Sequence, residues 1–290
     1  PRRIAGSRAR HASRLPHVQI QACQPHGRQA RSAGPRHPSG PLGFLHGRVR
    51  VQEDAAQLIA QGWDPAEIGR DQVMNVMRES GIRGVRRGRT PVATKPAKGT
   101  GGRPDLVERG FEAEAPNRLH VADITYVRMV NGSFGYTAFV TDVYARRIVG
   151  WACAMTMNTQ ELPLQALGQA ISWAASRGGA DGLIHHSDHG TQCTGTVYTT
   201  GVMEYGMLPS TGTVGDSCDN AMAESADGAY RTELVWRRKP FADLKDLELA
   251  TFRWVSWWNS KRLHRSLGYR TPEAVETEYY QHQAAQVASL

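Results

Sequence analysis

The stretch LHVADITYVRMVNG, residues 119–132, decides the fold. Its first twelve residues are rich in β-branched and aromatic side chains, which is typical of a β-strand, and the dipeptide Asn131-Gly132 favours a tight hairpin turn. Residues 135–143 and 147–155 have the same character. The sequence therefore predicts three consecutive strands that form an antiparallel meander.

Beyond the meander, helical and strand patterns alternate. Thr159 is expected to cap a helix over residues 160–176, where apolar residues recur at helical spacing. Short buried strands are predicted at 182–186 and 208–211, and further helices at 197–205, at 219–234 with Asp219 as the cap, and at 243–259. This alternation predicts an α/β protein in which helices flank a mixed sheet.

The net charge of +8 is distributed unevenly along the chain. Residues 1–50 contain ten Arg and no acidic residue, and residues 83–103 contain seven Lys or Arg and no acidic residue. Residues 104–290 carry five more acidic than basic residues. Basic segments attached to a mildly acidic body suit contact with nucleic-acid phosphates, whereas plain disorder is the ordinary alternative for an Arg/Pro/Gly-rich stretch.

Five segments are predicted along the chain. Residues 1–45 are expected to be a disordered Arg/Pro-rich segment, and their composition and the lack of an initial Met also fit a fragment or a translation begun in the wrong frame. Residues 46–82 show two short helical patterns, which could form a helix-turn-helix or an ordinary helical hairpin. Residues 83–113 follow as a basic linker, residues 114–240 as the α/β core, and residues 241–290 as a C-terminal helical extension.

Composition disfavours two classes of protein. Apolar residues make up 40% of the chain, and the most apolar region, residues 135–155, is interrupted by three charged residues, so no membrane span is predicted. The four cysteines lie far apart and include no C-x-x-C pair, which argues against a disulfide scaffold or a structural zinc site. The arginine-rich start has no apolar signal region, and a reducing cytosol is expected.

Three acidic residues stand where chemistry is expected. Asp123 lies within an apolar strand, Asp188 follows the carboxyl end of the strand predicted at 182–186, and Glu224 lies near a helix start beside small alanines. A buried carboxylate must be paired or bound to metal. Taken singly, each of the three has a commoner explanation as a turn, ion-pair or helix-dipole residue.

Together the three acids suit phosphodiester chemistry. Cutting or joining DNA needs a nucleophile made from water or a 3′-OH and a stabilised leaving oxyanion. Two Mg²⁺ ions about 3.5–4 Å apart supply both, and hard oxygen ligands hold them. Asp123, Asp188 and Glu224 are suitable ligands for such a pair of ions.

Neighbouring polar residues are predicted to be structural. His185 and His186 are adjacent on a strand and point to opposite faces, which disfavours a shared zinc ion, and at most one of them positions water or phosphate. Ser187 has no visible His/Asp relay. Asp142 is expected to be a hydrogen-bonding turn residue, and Asp219 is the substitute ligand should Glu224 be misassigned.

Two groups of basic residues are candidates for DNA contact. The first is a basic turn after the long helix, where we prefer phosphate contact to a solvated helix end; it comprises Lys261, Arg262, His264 and Arg265. The second lies in the linker and comprises Arg86, Arg87, Arg89, Lys95 and Lys98. The tryptophans at 254, 257 and 258 follow helical spacing and are expected to be mostly core, with an aromatic stacking surface for DNA ends as the alternative.

Three motifs resemble the signature blocks of bacterial insertion-sequence transposases: DITY at 123–126, HHSDHGTQ at 185–192 and GDSCDNAMAE at 215–224. Further matches are WWN at 257–259 with RLH at 262–264, and LGY at 267–269 followed by Thr271-Pro272. From about Gly62 onward, the chain resembles the second-frame (OrfB-type) product of the subgroup that encodes its transposase in two overlapping frames.

The resemblance implies an RNase H-like catalytic core similar to that of retroviral integrases. In it, Asp123, Asp188 and Glu224 would be the catalytic DDE triad, and thirty-five residues separate the last two, as in the family. The implied cofactor is Mg²⁺ or Mn²⁺, with two ions per active site. The implied reaction is nicking at the element's ends, followed by attack of the freed 3′-OH on another DNA phosphate, without a covalent protein–DNA intermediate.

The resemblance also implies partners and a location. The partners would be the terminal inverted repeats of the element, target DNA, further copies of this chain and a first-frame helix-turn-helix protein, with no membrane. The location would be the bacterial cytoplasm, in association with the nucleoid.

Three residues depart from the family pattern: His120 stands where Trp is usual, His189 where Arg or Lys is usual, and Cys193 where Tyr is usual. They flank two members of the triad. Two alternatives therefore stay open: a catalytically idle DNA-binding remnant or regulator of the element, and a nuclease that cleaves without joining strands.

Overall fold

The computed structural model describes residues 51–60, 62, 64–65, 69–79, 103–108, 110–158, 162–188, 193, 195–212 and 221–289. The predictions made for residues 1–45 lie outside the described residues. So do those for the linker residues Arg86, Arg87, Arg89, Lys95 and Lys98 and for His189 and Asp219.

Two short helices precede the core and contact each other: α1 (Val51–Ala60) and α2 (Arg70–Glu79). Gly62 has a φ of 93° and its N–H donates to the carbonyl of Ile59, a left-handed ending that glycine adopts without steric cost. The two predicted helices are confirmed. Their action as a helix-turn-helix stays a prediction.

Within the described part of the chain, five strands form one mixed sheet. They are β1 (Leu119–Arg128), β2 (Phe134–Asp142), β3 (Ile148–Ala154), β4 (Ile184–Ser187) and β5 (Leu208–Thr211), in the order β3-β2-β1-β4-β5. The first three are antiparallel neighbours, and β4 and β5 continue the sheet in parallel with β1. The predicted meander and mixed sheet are confirmed, with Gly132 in the connecting turn at a φ of 83°.

The helices that flank the sheet are α3 (Pro163–Ala175), α4 (Thr196–Glu204), α5 (Ala221–Glu233), α6 (Leu244–Ser260) and α7 (Pro272–Ala288). The helix predicted from residue 160 begins instead at Pro163, and its cap is Leu162, without a side-chain hydrogen bond, rather than Thr159. Proline suits the first helical position because its φ is already helical and its missing N–H would be unpaired there. The cap of α6 is Asp243, whose side chain accepts from the N–H of Asp246 at 2.8 Å.

The sheet carries helices on both faces. On one face, Ala138, Val140 and Ala152 pack against Ala166 and Ala170 of α3. On the other face, Val127 and Phe139 pack against residues of α5 and α6 that include Tyr230, Trp254 and Trp258. The prediction that these tryptophans are core is confirmed for Trp254 and Trp258, since both are buried. No helix in the described ranges is long and apolar enough to span a bilayer.

One buried carboxylate fastens α7 to the core. Glu276 accepts a hydrogen bond from Trp173 Nε1 at 3.1 Å and lies 3.1 Å from Arg147 Nη1 and 3.4 Å from Arg177 Nε. Both guanidinium groups also stack on the Trp173 ring, at 4.1 and 3.3 Å from its centroid. A charged and aromatic cluster therefore joins the C-terminal helix to α3 and to the turn before β3.

Candidate active site

Two of the predicted acidic residues meet at the junction of β1 and β4. The parallel register pairs Ala122 with Ser187, which is the last residue of β4. Asp123 and Asp188 are the next residues along the two chains, and neighbouring strands lie about 4.8 Å apart. Asp188 is exposed, and its negative charge contributes to the raised pKa of Asp123.

Asp123 occupies an unusual electrostatic position. Burial, the charge of Asp227 and the charge of Asp188 together raise its pKa well above the ordinary value for aspartate. The N–H of Ile124 donates to Asp123 Oδ1 at 2.8 Å, and this hydrogen bond and the charge of Arg231 act in the opposite direction. The net result is a carboxylate among other carboxylates in partly dehydrated surroundings, which a bound cation would neutralise.

The third predicted acid, Glu224, lies in the first turn of α5, the helix that packs against β1. The structure describes this position in the helix and not the Glu224 side chain. Glu224 precedes Asp227 by three residues, and helical periodicity puts the two positions on one face. Because Asp227 acts electrostatically on Asp123, this face of α5 borders the site.

Sequence reasoning missed Asp227 and Arg231. Asp227 is only 3% exposed, and its Oδ2 lies 3.8 Å from Arg231 Nη2. Arg231 Nε also donates to Thr125 Oγ1 at 2.6 Å, two residues beyond Asp123 on β1. The signal was present in the spacing, since Glu224, Asp227 and Arg231 follow one another at intervals of three and four residues and so share a helix face.

The two adjacent histidines face opposite ways, as predicted. His185 Nε2 lies 2.7 Å from the Tyr198 hydroxyl in α4, and His186 Nδ1 lies 2.9 Å from Ser210 Oγ in β5. Both rings are buried, and burial lowers the pKa of His185 to about 3. His185 is therefore a neutral structural residue at physiological pH.

Two departures from the family pattern can be placed. His120 is fully buried, and its Nε2 lies 3.2 Å from Asn117 Oδ1. Because it precedes Asp123 by three residues on the same strand, it lies on the opposite face of the sheet. Cys193 is buried near the two aspartates, and burial followed by their charges raises the pKa of its thiol, which therefore stays neutral.

The basic turn divides into buried and exposed members. Arg262 is 5% exposed and forms two hydrogen bonds with Glu233, at 3.0 and 3.2 Å, while its guanidinium lies 4.6 Å from the Trp258 ring centroid. His264 is buried against the same ring. Lys261 and Arg265 are exposed. The structure thus gives Arg262 and His264 packing roles, and DNA contact by the turn stays a prediction.

The side chains of the candidate site are of the kind that binds divalent metal ions. Among the residues whose side chains are described, no three His, Cys, Asp or Glu form a complete metal-binding group, and Glu224 is not in that set. Asp123 and Asp188 offer hard oxygen donors, which Mg²⁺ and Mn²⁺ prefer. The mutual repulsion that raises the pKa of Asp123 is relieved when a divalent cation lies between such oxygens.

Comparison with protein families places the site within known sequence models. Residues 113–217 match the model described as integrase core domain, and residues 205–272 match a second model with the same description. The first range includes Asp123 and Asp188, and the second includes Glu224, Asp227 and Arg231. The predicted integrase-like core is thereby confirmed.

Among curated proteins, a Mycobacterium tuberculosis protein named for the insertion sequence element IS986/IS6110 is 45% identical over 217 residues, which are 74% of this chain and 77% of that protein. The transposase for insertion sequence element IS629 of Shigella sonnei is 42% identical over 227 residues, 77% of this chain and 72% of that protein. Among solved structures, the HTLV-2 integrase catalytic core domain in complex with magnesium aligns with a TM-score of 0.45 and 15% identity, over 57% of this chain and 99% of that chain. The chain belongs to the insertion-sequence transposases with an integrase core domain, a family that acts in DNA transposition.

Proposed function

We propose that this protein nicks DNA at the ends of its insertion sequence and transfers the freed 3′-OH to a phosphate of target DNA, in a reaction that depends on Mg²⁺ or Mn²⁺. The observation that carries the proposal is the placement of Asp188 beside Asp123, with the acidic face of α5 against the same strand. Carboxylates from a strand, a strand end and a helix supply oxygen ligands and leave positions open for phosphate.

The chain's own residues have distinct parts in this chemistry. Asp123, Asp188 and Glu224 would hold the metal ions, which supply an activated hydroxyl nucleophile and stabilise the leaving oxyanion. The Ile124 N–H orients the Asp123 carboxylate through its 2.8 Å hydrogen bond. Arg231 bridges α5 and β1 through Asp227 and Thr125, and so keeps the helix that carries Glu224 in register with the strand that carries Asp123.

The partners follow from the reaction. The terminal repeats and the target are DNA substrates, and both ends of an element must be held together for transposition, so we propose that copies of this chain associate on DNA. A first-frame helix-turn-helix protein is proposed as a further partner, on the basis of the resemblance to the two-frame subgroup.

The test is an assay with labelled DNA that carries the terminal repeats of the element, with target DNA and Mg²⁺. We expect nicked and joined products from the native protein. Asp123→Asn, Asp188→Asn and Glu224→Gln should each abolish both products while leaving DNA binding intact. The matched control is Asp181→Asn, an exposed aspartate of the loop before β4, which should retain activity.

Other outcomes identify the alternatives. Cleavage without joining would support a nuclease, and binding without either product would support an idle remnant or regulator. Joining that persists in Asp188→Asn would remove this residue from the site.

A further inference from the structure

A cavity of about 320 Å³ lies against the face of α5 that points away from Asp227. Met222, Ser225, Ala226 and Ala229 line it from α5. These positions lie on the opposite side of the helix from Glu224, Asp227 and Arg231. The cavity is therefore separate from the candidate active site but shares its helix, and its volume is at the lower end of the range for ligand pockets.

The cavity has a basic wall. Arg146 lines it from the turn between β2 and β3, and Arg262, His264 and Arg265 line it from the basic turn after α6. Hydroxyl groups from Thr141, Ser225 and Ser266 stand among them. Guanidinium and hydroxyl groups are donors that suit the oxygens of a phosphate.

Two of these guanidinium groups have no ion-pair partner within the part of the chain that the structure describes. Arg262 is paired with Glu233, but among the described residues neither Arg146 nor Arg265 forms an ion pair. Burial lowers the pKa of Arg146, and the charges of Asp142 and Glu112 only partly offset this effect. An arginine stays charged at neutral pH even so, which leaves a partly dehydrated positive charge at the cavity wall.

The backbone holds Arg146 in this position at an energetic cost. Arg146 has a φ of 59°, a left-handed conformation that residues other than glycine rarely adopt. Its carbonyl accepts a hydrogen bond from Trp258 Nε1 at 2.9 Å, and its guanidinium contacts Met222 Sδ at the start of α5. Strain of this kind persists where surrounding contacts enforce it and is concentrated at functional sites.

We propose that this cavity binds a backbone phosphate of DNA between Arg146 and Arg265. The proposal rests on the proposed function for its choice of DNA as the source of the phosphate. Arginine is suited to this contact, because its planar fork can donate to two phosphate oxygens at once. The contact would add a sequence-independent anchor on the second face of the helix that carries Glu224.

The experiment measures the affinity for a short DNA duplex of random sequence by fluorescence anisotropy, over a series of salt concentrations and without divalent metal. The slope of log K against log salt changes by about 0.9 for each phosphate contact that is lost. The double variant Arg146→Ala/Arg265→Ala should lose about 0.9, and not twice that, because both side chains serve one phosphate. Arg265→Glu alone should also lower the slope. Because Arg265 is exposed, this variant leaves the buried residues unchanged.

Arg253→Ala provides the matched control, because Arg253 is an exposed arginine of α6 outside the cavity lining, and it should leave the slope unchanged. Slopes for the double variant and for Arg265→Glu that equal the native slope would overturn the proposal. If those slopes are native and inorganic phosphate raises the melting temperature of the native protein but not of the double variant, the cavity binds free phosphate, and the assignment to DNA is wrong.

The two proposals can fail separately. Loss of slope in the variants, combined with a native protein that binds DNA without cutting it, would support the cavity and contradict the proposed function. If the native protein cleaves and joins DNA but every variant keeps the native salt slope, the proposed function is supported and the cavity proposal is contradicted.

Discussion

Asp227 of α5 acts electrostatically on Asp123 of β1: burial of Asp123, the charge of Asp227 and the charge of Asp188 together raise the pKa of the Asp123 carboxyl. The candidate active site is thus built around a strand carboxylate that faces acidic groups from two sides. Arg231 is the cation that opposes them, through its contacts with Asp227 and Thr125. This imbalance of charge is the physical reason to expect that the site is completed by divalent metal.

Replacing Asp227 with Asn should stabilise the metal-free protein by about 1 kcal/mol, because one of the two negative charges that act on Asp123 is removed. The same change should raise, several-fold, the Mg²⁺ concentration that is needed to stabilise the protein. Thermal unfolding across a Mg²⁺ titration measures both effects, with Asp181→Asn as the control that changes neither. A destabilised metal-free Asp227→Asn protein would mean that the pairing with Arg231 outweighs the repulsion from Asp123.

Gly150 allows β3 to approach α3 closely, since a Cβ at this position would lie 2.0 Å from the carbonyl oxygen of Ala166. Gly150→Ala should therefore destabilise the protein by about 3 kcal/mol, the upper end of the usual cost of overpacking. Gly168→Ala is the matched control within α3, because nothing lies within 4 Å of its added Cβ. It should stabilise the protein by up to about 1 kcal/mol through helix propensity. Equal unfolding midpoints in urea for the two variants would refute this account.

Arg262 should matter for stability through its pairing with Glu233. Arg262→Met removes the guanidinium that forms two hydrogen bonds with the buried Glu233 carboxylate, and it should cost about 3–5 kcal/mol. Arg262→Lys should also destabilise the protein, since a lysine cannot reproduce the two-pronged contact. Lys261→Met, at the exposed neighbouring position, should change the unfolding free energy by no more than about 0.5 kcal/mol. Urea denaturation distinguishes these outcomes, and a minor effect of Arg262→Met would show that the pair contributes little.

Burial lowers the pKa of His120 to about 3 from an unfolded value of 6.5. Between these two values the unfolded chain binds a proton that the folded protein does not bind. The contribution of His120 to stability is therefore fully present above pH 6.5 and is lost as the pH falls toward 3.

His120→Gln should remove this contribution, which amounts to a slope of up to about 1.4 kcal/mol per pH unit. The measurement is the difference in unfolding free energy between the native protein and the variant from pH 4 to 7. That difference should rise with pH and level off near 6.5. His185 and Asp142, whose pKa values are about 3 and about 6, also contribute to the pH dependence, and Asp142 Oδ2 lies 3.7 Å from His120 Nε2. The difference between the two proteins therefore measures His120 together with its coupling to these two groups. His282→Gln, at an exposed position, should leave the slope unchanged.

Local sequence patterns predicted much of the fold. The meander follows from β-branched residues and the Asn131-Gly132 turn, and the elements predicted between residues 160 and 259 lie close to their predicted bounds. The helix α7 lies in the predicted C-terminal helical extension, for which no helix bounds were predicted. The error at the start of α3 has a local cause. Pro163 is well suited to the first helical position, and this preference outweighs the tendency of Thr159 to cap a helix. The hydrogen-bonding role of Asp142 at the turn was also predicted, and its carboxylate accepts from the N–H groups of Ala145 and Asn117. Its burial was not predicted.

The sequence by itself determined the order of elements and the identity of the candidate carboxylates, because periodicity, turn residues and motif spacing are properties of neighbouring residues. Only the tertiary structure decided that Asp227 acts on Asp123, that Arg262 forms an ion pair with Glu233, and that Arg146 contacts α5. Each of these relationships joins residues remote in the chain, and their energies depend on burial and charge in a shared environment, which no stretch of sequence contains on its own.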